Sequence, residues 1–199
     1  MTRRHWAPLA ALLVLTGALL VAGCGDSDDS SSSSATAGNP TDRAFVAGMV
    51  PHHRSAIEMA AIAKTEATSD FVKQLAADIT RSQTAEIEEM ERVDGDLAKA
   101  GIARGDLEMK NHEMGMDMDA DELRGAMPFD EKFIEMMVPH HKGAVEMAKV
   151  ELSKGENGEL KTLAQSIIDT QQKEIAAMRD HLGEDGGGSA EHEDNGHSG

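Results

Sequence analysis

The sequence is poor in cysteine, in aromatic residues and in basic residues. It has one cysteine, one tryptophan, no tyrosine and four phenylalanines. A single cysteine excludes intramolecular disulfides and zinc–thiolate sites. The shortage of aromatic rings argues against a stacking site for sugars or nucleotide bases. Lys and Arg number 19 against 36 Asp and Glu, so the surface is predicted to repel nucleic acid and to attract cations.

The two ends of the chain are not predicted to be parts of a fold. Residues 1–23 place two arginines before an apolar run, which is typical of a signal peptide. The run ends in Val-Ala-Gly-Cys at Cys24, which resembles a bacterial lipobox, and an uncleaved membrane anchor is the alternative. Residues 24–40 are predicted as a disordered tether and residues 184–199 as a disordered tail. We therefore expect an exported protein, lipid-anchored to the outer face of the cell membrane or in the periplasm.

Two segments of the chain repeat one another at a constant offset of 88 residues. The sequence Phe-Val-Ala-Gly-Met-Val-Pro-His-His, which ends at His53, returns as Phe-Ile-Glu-Met-Met-Val-Pro-His-His, which ends at His141. The same register holds further along, where Gln, Glu and Met recur together with Leu and Ile. A duplication that preserves polar and thioether side chains predicts a pseudo-twofold protein with matched polar sites.

Apolar residues recur with helical spacing in both copies and predict two helical hairpins. Asp42 is the predicted N-cap of the first helix, Ser69 caps the second, and Asp130 opens the third. Gly183 is predicted to stop the fourth helix. Pro51 lies inside the first helix, so that helix is expected to kink or restart there.

Neither hairpin can bury its apolar face alone, so the expected fold is an all-α, ferritin-like four-helix bundle over residues 41–183. Repeat one is predicted at 42–100 and repeat two at 129–183. The segment 101–128 between them is long enough for a ferritin-like crossover, and a looped-out link is the alternative.

Polar residues fall on the predicted buried faces of these helices. His52 and His140 are predicted to point inward, because the next residue on a helix is rotated by about 100°. A carboxylate that faces a bundle interior needs a partner, a proton or a metal. Glu86 and Glu174 could instead pair with His or Lys across the bundle. The residues predicted to back the histidines, as supporting or alternative ligands, are Gln83, Glu86, Met90, Gln171 and Glu174.

Methionine is abundant, with 13 in the chain, and four histidines have a methionine three residues earlier. Such i, i+3 neighbours on a helix can chelate one ion. No histidine has Glu three residues before it, whereas di-iron bundles use Glu-x-x-His. Thioether sulfur with imidazole nitrogen suits Cu(I), and by the same softness Ag(I), better than iron. The pairs are Met49/His52, Met109/His112, Met137/His140 and Met178/His181.

The predicted crossover carries a second concentration of the same residue types. Its sequence is too polar to be core, so its methionines are hard to explain by packing. By contrast, methionine in a helical stripe is usually core filler, which is the competing interpretation of Met59, Met90 and Met147. The crossover residues are Met109, His112, Met114, Met116 and Met118.

The repeated motifs resemble the domain-of-unknown-function 305 family. Both copies match its Met-Ile/Val-Pro-His-His-x-x-Ala-Ile/Val-Glu/Asp-Met-Ala signature and the following Gln-x-x-Glu-Ile-x-x-Met, over residues 42–93 and 130–182. The resemblance implies a ferritin-like bundle, usually exported, with some members linked to copper or silver binding and resistance. His181 departs from the family, which often has Trp there. The ligands that the resemblance implies are Met49, His52, His53, Met59, Met137, His140, His141 and Met147.

Three functions compete at this point. The first is a membrane-tethered protein that binds Cu(I) or Ag(I) and buffers it or passes it to a copper-transfer protein, without catalysis. The second is a ferritin-like oxidase acting on iron or copper, with iron the less favoured metal. The third is a structural or partner-binding lipoprotein whose polar interior forms a hydrogen-bond network. No nucleic-acid partner is expected, and the sequence leaves the oligomeric state open.

Overall fold

The computed structural model describes residues 37–183, and Cys24, the tether before residue 37 and the tail after residue 183 lie outside that range. The described part contains four long helices and no strand. The prediction of an all-α four-helix bundle is confirmed. The helices are α1 (Pro40–Glu66), α2 (Asp70–Lys99), α3 (Phe129–Lys154) and α4 (Gly158–Leu182), with a short 3₁₀ turn at Ala120–Leu123.

Helices α1 and α3 lie antiparallel at the centre of the bundle, and each pairs with the helix that follows it. At one end, the Asn39 amide nitrogen donates to the Lys154 carbonyl at 2.8 Å. At the other end, the Thr68 backbone N–H donates to Asp130 Oδ1 at 3.0 Å. The beginning of each central helix therefore lies beside the end of the other.

The crossover between α2 and α3 runs the full length of the bundle. Near its start, the Gly105 N–H donates to the Pro40 carbonyl at 2.9 Å, where α1 begins. Near its end, the Gly125 N–H donates to Glu66 Oε2 at 2.8 Å, where α1 ends. This is the ferritin-like connection, and the looped-out alternative is wrong.

The first helix begins earlier than its sequence pattern suggested. Asn39 is the N-cap and accepts from the Thr41 and Asp42 N–H groups, while Pro40 occupies the first turn, where no N–H is needed. The prediction of Asp42 as N-cap is therefore wrong, because it lies three residues into the capping box. The predicted cap at Ser69 is confirmed, since its hydroxyl accepts from the Val72 N–H.

Asp42 and Asp130, which are 88 residues apart, each hold the turn of the opposite hairpin. Asp42 Oδ1 accepts from the Glu156 and Asn157 N–H groups at 3.0 and 2.8 Å. The Asp130 carboxylate accepts in the same way from the Thr68 and Ser69 N–H groups at 3.0 and 2.8 Å. Helix α3 correspondingly begins at Phe129, one residue before the predicted position. These reciprocal contacts tie the two repeats together.

The helices continue through both motif prolines, so the predicted restart at Pro51 is wrong. Pro51 and Pro139 are exposed. Each ring faces water rather than the bundle interior. The backbone hydrogen bond that each proline removes is therefore lost on the outer side of the bundle, where water can replace it.

The hydrophobic core consists of two separate clusters. One contains Phe45 and Leu160, and the other contains Ile79 and Phe133. Four histidines lie between the clusters along α1 and α3. No helix within residues 37–183 is both long and apolar enough to cross a membrane.

Candidate metal centre

Four histidines are fully buried at the middle of the bundle. His52, His53, His140 and His141 are each 0% exposed. The His52 and His140 rings meet where α1 crosses α3, with centroids 3.7 Å apart and planes inclined by 33°. The structure thus places the predicted inward pair in contact, and it also buries the second histidine of each motif.

Three of these rings use Nε2 for a hydrogen bond to an oxygen. His52 Nε2 lies 3.1 Å from the His140 carbonyl. His53 Nε2 lies 2.6 Å from Glu86 Oε2, and His141 Nε2 lies 2.8 Å from Glu174 Oε2. The last two contacts are equivalent in the two repeats. They connect each central helix to the helix that follows it.

Several buried polar atoms in this layer have no hydrogen-bond partner. They include Nδ1 of all four histidines and Nε2 of His140. The amide groups of Gln83 and Gln171, each 2% exposed, are also unpartnered. Each such atom costs about 1–3 kcal/mol, and buried polar groups are normally satisfied. Each neutral ring has one lone-pair nitrogen and each amide one acceptor oxygen, and a cluster of such atoms fits a bound cation.

The central imidazoles are held in the neutral form that a metal requires. Burial, and to a smaller extent the nearby His53 and His141, lower the pKa of His52 to about 3. Burial likewise holds the pKa of His140 well below its ordinary value, with His52 adding to the effect. At neutral pH both rings are therefore uncharged.

Thioether side chains flank the histidines on both sides. Six methionines are 0% exposed, and all belong to the apolar clusters, so core packing accounts for their burial. The clusters receive equivalent residues from opposite repeats. Met49, Met90 and Met147 lie in one, and Met137, Met178 and Met59 lie in the other.

The crossover packs against the histidine layer. A Cβ on Gly143 would collide with the Met114 carbonyl, and a Cβ on Gly115 would lie 3.0 Å from the Pro139 carbonyl. Gly115 has φ +68°, which favours glycine. The equivalent of Gly143 in repeat one is Ser55, so the crossover contacts a position where the two repeats differ.

The predicted crossover ligands are only partly brought to this layer. Met109 and Met114 pack on one apolar cluster and Met118 packs on the other, so the expectation that packing could not explain them is wrong for these three. Met116 is half-buried and His112 is exposed.

At the far end of α4, the predicted Met178/His181 pair diverges. Met178 is buried, whereas His181 is exposed and stacks on Phe71 with ring centroids 4.3 Å apart. Within residues 37–183, no three His, Cys or carboxylate side chains form a ready metal-binding group. A metal held at the centre would therefore need thioether or amide ligands, or a small shift of the rings.

Sequence reasoning missed one buried acid, Glu151, which lies outside the histidine layer. It is 0% exposed, and its carboxyl group lies beside that of Asp42. Burial, together with the neighbouring Asp42 carboxylate, raises its pKa to about 8. Ala63 is the equivalent residue in repeat one, so this departure from the repeat was the available signal.

The fold and the buried layer define a duplicated ferritin-like bundle with a histidine- and methionine-lined centre. The model of the family described as a domain of unknown function (DUF305) matches residues 21–94 and 42–182. The chain belongs to this family, which confirms the resemblance seen in its motifs.

Solved structures of similar proteins include metal-bound ones. CopM in its Cu(I)-bound form is 34% identical, with 74% of this chain and 98% of that chain covered at a TM-score of 0.59. CopM in its Ag-bound form is 33% identical with the same coverage and a TM-score of 0.60. A Streptomyces coelicolor DUF305 protein is 29% identical, with 77% and 98% covered and a TM-score of 0.63. Among curated proteins, none matches this chain.

Proposed function

We propose that this protein binds Cu(I), and by the same chemistry Ag(I), outside the cytoplasm and buffers the ion or passes it to a partner. The observation that carries the proposal is the set of four buried imidazoles whose Nδ1 atoms have no partner. The CopM structures with Cu(I) and Ag support the same choice of metal. Thioethers on both sides of the layer favour a soft, monovalent ion.

The proposed location is the outer face of the membrane. The signal-like residues 1–23 and the lipobox-like Cys24 support export and lipid anchoring. The Streptomyces coelicolor relative is assigned as secreted, which agrees with export. The acidic surface would concentrate cations near the protein, and the partly buried crossover methionines offer exchange ligands for transfer.

The test is a Cu(I) titration of residues 25–199 against a competing chelator, with the metal stoichiometry measured in parallel. We expect binding tighter than that of a scrambled Met/His peptide, and a fall of at least about tenfold in the variant carrying His52→Ala and His140→Ala. Binding unchanged in that variant would move the site to the crossover. Binding no tighter than the peptide would exclude the proposal.

A ferritin-like oxidase is the second candidate, and we propose that the protein is not an enzyme. The observation in favour of the oxidase is the pair of carboxylates, Glu86 and Glu174, each beside a buried histidine. Against it, the chain lacks Glu-x-x-His. Iron that stays bound through purification, together with oxygen consumption on adding Fe(II), would favour the oxidase.

A metal-free structural role is less well supported. Such a role predicts that the polar interior closes into a satisfied hydrogen-bond network. Instead, the amides of Gln83 and Gln171 and the four Nδ1 atoms are all unpartnered. The network is incomplete at the positions that face the layer.

A further inference from the structure

The two nitrogens of each buried imidazole have different surroundings. We propose that the core histidines offer Nδ1, and not Nε2, to a metal ion, with thioether or amide ligands or a small shift of the rings completing the site, and that Glu86 and Glu174 are positioning residues that set the rings of His53 and His141 for this. The inference rests on the proposed metal-binding function. It specifies which ring nitrogen binds the metal, and it makes Glu86 and Glu174 supporting groups and not ligands.

The hydrogen bonds of His53 and His141 decide which nitrogen is free. An ionised carboxylate only accepts hydrogen bonds. His53 Nε2 lies 2.6 Å from Glu86 Oε2 and His141 Nε2 lies 2.8 Å from Glu174 Oε2. Nε2 must therefore carry the proton in both rings and has no lone pair to give. In the neutral ring the lone pair is then on Nδ1.

The central pair follows the same rule. His52 Nε2 lies 3.1 Å from the His140 carbonyl, which also only accepts, so the proton is on Nε2. His140 has no partner at either nitrogen. Its equivalent in repeat one is His52, 88 residues earlier, and the His52 carbonyl is the backbone acceptor beside the His140 ring, so repeat symmetry directs the proton to Nε2 here as well.

All four Nδ1 atoms are consequently buried lone-pair donors without a partner. One such atom is an ordinary packing defect, but the same atom in four rings, matched between repeats, is not explained by packing. Each orphaned atom would cost about 1–3 kcal/mol in a protein that never bound anything there. A metal ion that accepts these lone pairs removes that cost.

The carboxylates are well placed to act through the rings. Glu86 and Glu174 side chains are 14% and 15% exposed, whereas the histidines they contact are 0% exposed. In both His53 and His141, Nε2 therefore faces a carboxylate at the edge of the layer, and the lone pair of Nδ1 is left for a metal. A carboxylate hydrogen-bonded to a metal-binding imidazole fixes its tautomer and raises its basicity.

The first experiment is NMR of the chain from residue 25 onward with ¹⁵N-labelled histidine, without metal and then with Ag(I) as the probe. We expect the Nε2–H tautomer at His53 and His141 before metal is added. Ag(I) should then shift the Nδ1 resonances and leave those of Nε2 nearly unchanged. An Nδ1–H tautomer, or a shift at Nε2, would overturn the inference and leave the proposed function intact.

The second experiment measures Ag(I) affinity in paired variants. Glu86→Ala with Glu174→Ala should weaken binding by about 10–100-fold and mix the two tautomers. Glu86→Gln with Glu174→Gln keeps an acceptor oxygen and should restore most of the affinity and the Nε2–H tautomer. Glu88→Ala, an exposed change on the same helix, is the matched control and should alter neither.

The outcomes separate the two claims. If the alanine variant mixes the tautomers but binds Ag(I) as tightly as the parent, the positioning role is wrong. If the parent chain does not bind Ag(I) or Cu(I) at all, the proposed function is wrong, whatever the tautomers are. Melting curves by circular dichroism confirm that each variant is folded before its affinity is compared.

Discussion

Replacing His52 and His140 together by leucine is expected to stabilise the metal-free protein and to remove its response to Cu(I). The two side chains leave three buried ring nitrogens without a partner, namely Nδ1 of both and Nε2 of His140. Each costs about 1–3 kcal/mol. Leucine carries no such atom and is close to imidazole in volume.

The expected gain is reduced by two losses. The hydrogen bond from His52 Nε2 to the His140 carbonyl contributes about 1 kcal/mol. Repacking the two adjacent rings as leucines costs about 1–1.5 kcal/mol. Three such atoms cost about 3–9 kcal/mol together, so the net stabilisation after these losses is about 0.5–7 kcal/mol. Each kcal/mol raises the melting temperature of a domain of this size by roughly 2–4 °C.

The assay is thermal unfolding at pH 7.5, with and without excess Cu(I), followed by circular dichroism. Metal at a hundredfold excess over its dissociation constant should stabilise the parent by about 2.7 kcal/mol, and the leucine variant should show almost no such gain. Glu88→Leu, an exposed change on α2, is the control. A metal-free leucine variant less stable than the parent would refute the reasoning, because it would mean that the ring nitrogens are satisfied in the native protein.

Further measurements test the pH dependence of stability and the packing of single glycines. The folded-state pKa of His52 is about 3, so the unfolded chain takes up a proton first as pH falls below about 6.5. The free energy of unfolding, measured by urea unfolding, should therefore drop by about 2–3 kcal/mol between pH 7.5 and 4.5. The drop should be smaller in His52→Leu. The folded-state pKa of Glu151 is about 8, so the stability that its bound proton contributes is full below about pH 4.5 and is lost as pH rises through 8. The free energy of unfolding of the parent should fall by about 2–3 kcal/mol between pH 6 and 9 for this reason, and Glu151→Gln should abolish that fall. Gly143→Ala should displace the crossover at Met114 and destabilise the fold by about 2 kcal/mol or more in the same measurement. Gly95→Ala, where a Cβ meets nothing within 4 Å, should instead stabilise it by about 0.5–1 kcal/mol.

The repeat made the fold and much of the buried layer predictable. A constant offset of 88 residues preserves helical phase, so Gln83 and Gln171 could be placed on buried faces from the sequence. The cap at Ser69 was readable because an N-cap is a local feature. The role of Asp42 could not be predicted from the local sequence, because it depends on contacts with Glu156 and Asn157, more than a hundred residues away.

The histidines show why rotation about one helix axis is an incomplete guide. An offset of about 100° between His52 and His53 suggested that only one of each pair faces the interior. Helix α1 is covered by α3 on one side and by α2 on another, so both directions are buried. The packing of Met114 against the core could not be predicted either, because periodicity carries no information in a non-helical crossover.

X-ray absorption at the copper edge of the Cu(I)-loaded chain tests the central claim most directly. We expect both imidazole nitrogen and thioether sulfur in the copper coordination sphere, with the imidazole signal reduced in the variant carrying His52→Ala and His140→Ala. Coordination by oxygen alone, or by nitrogen and sulfur that persist unchanged in that variant, would contradict it.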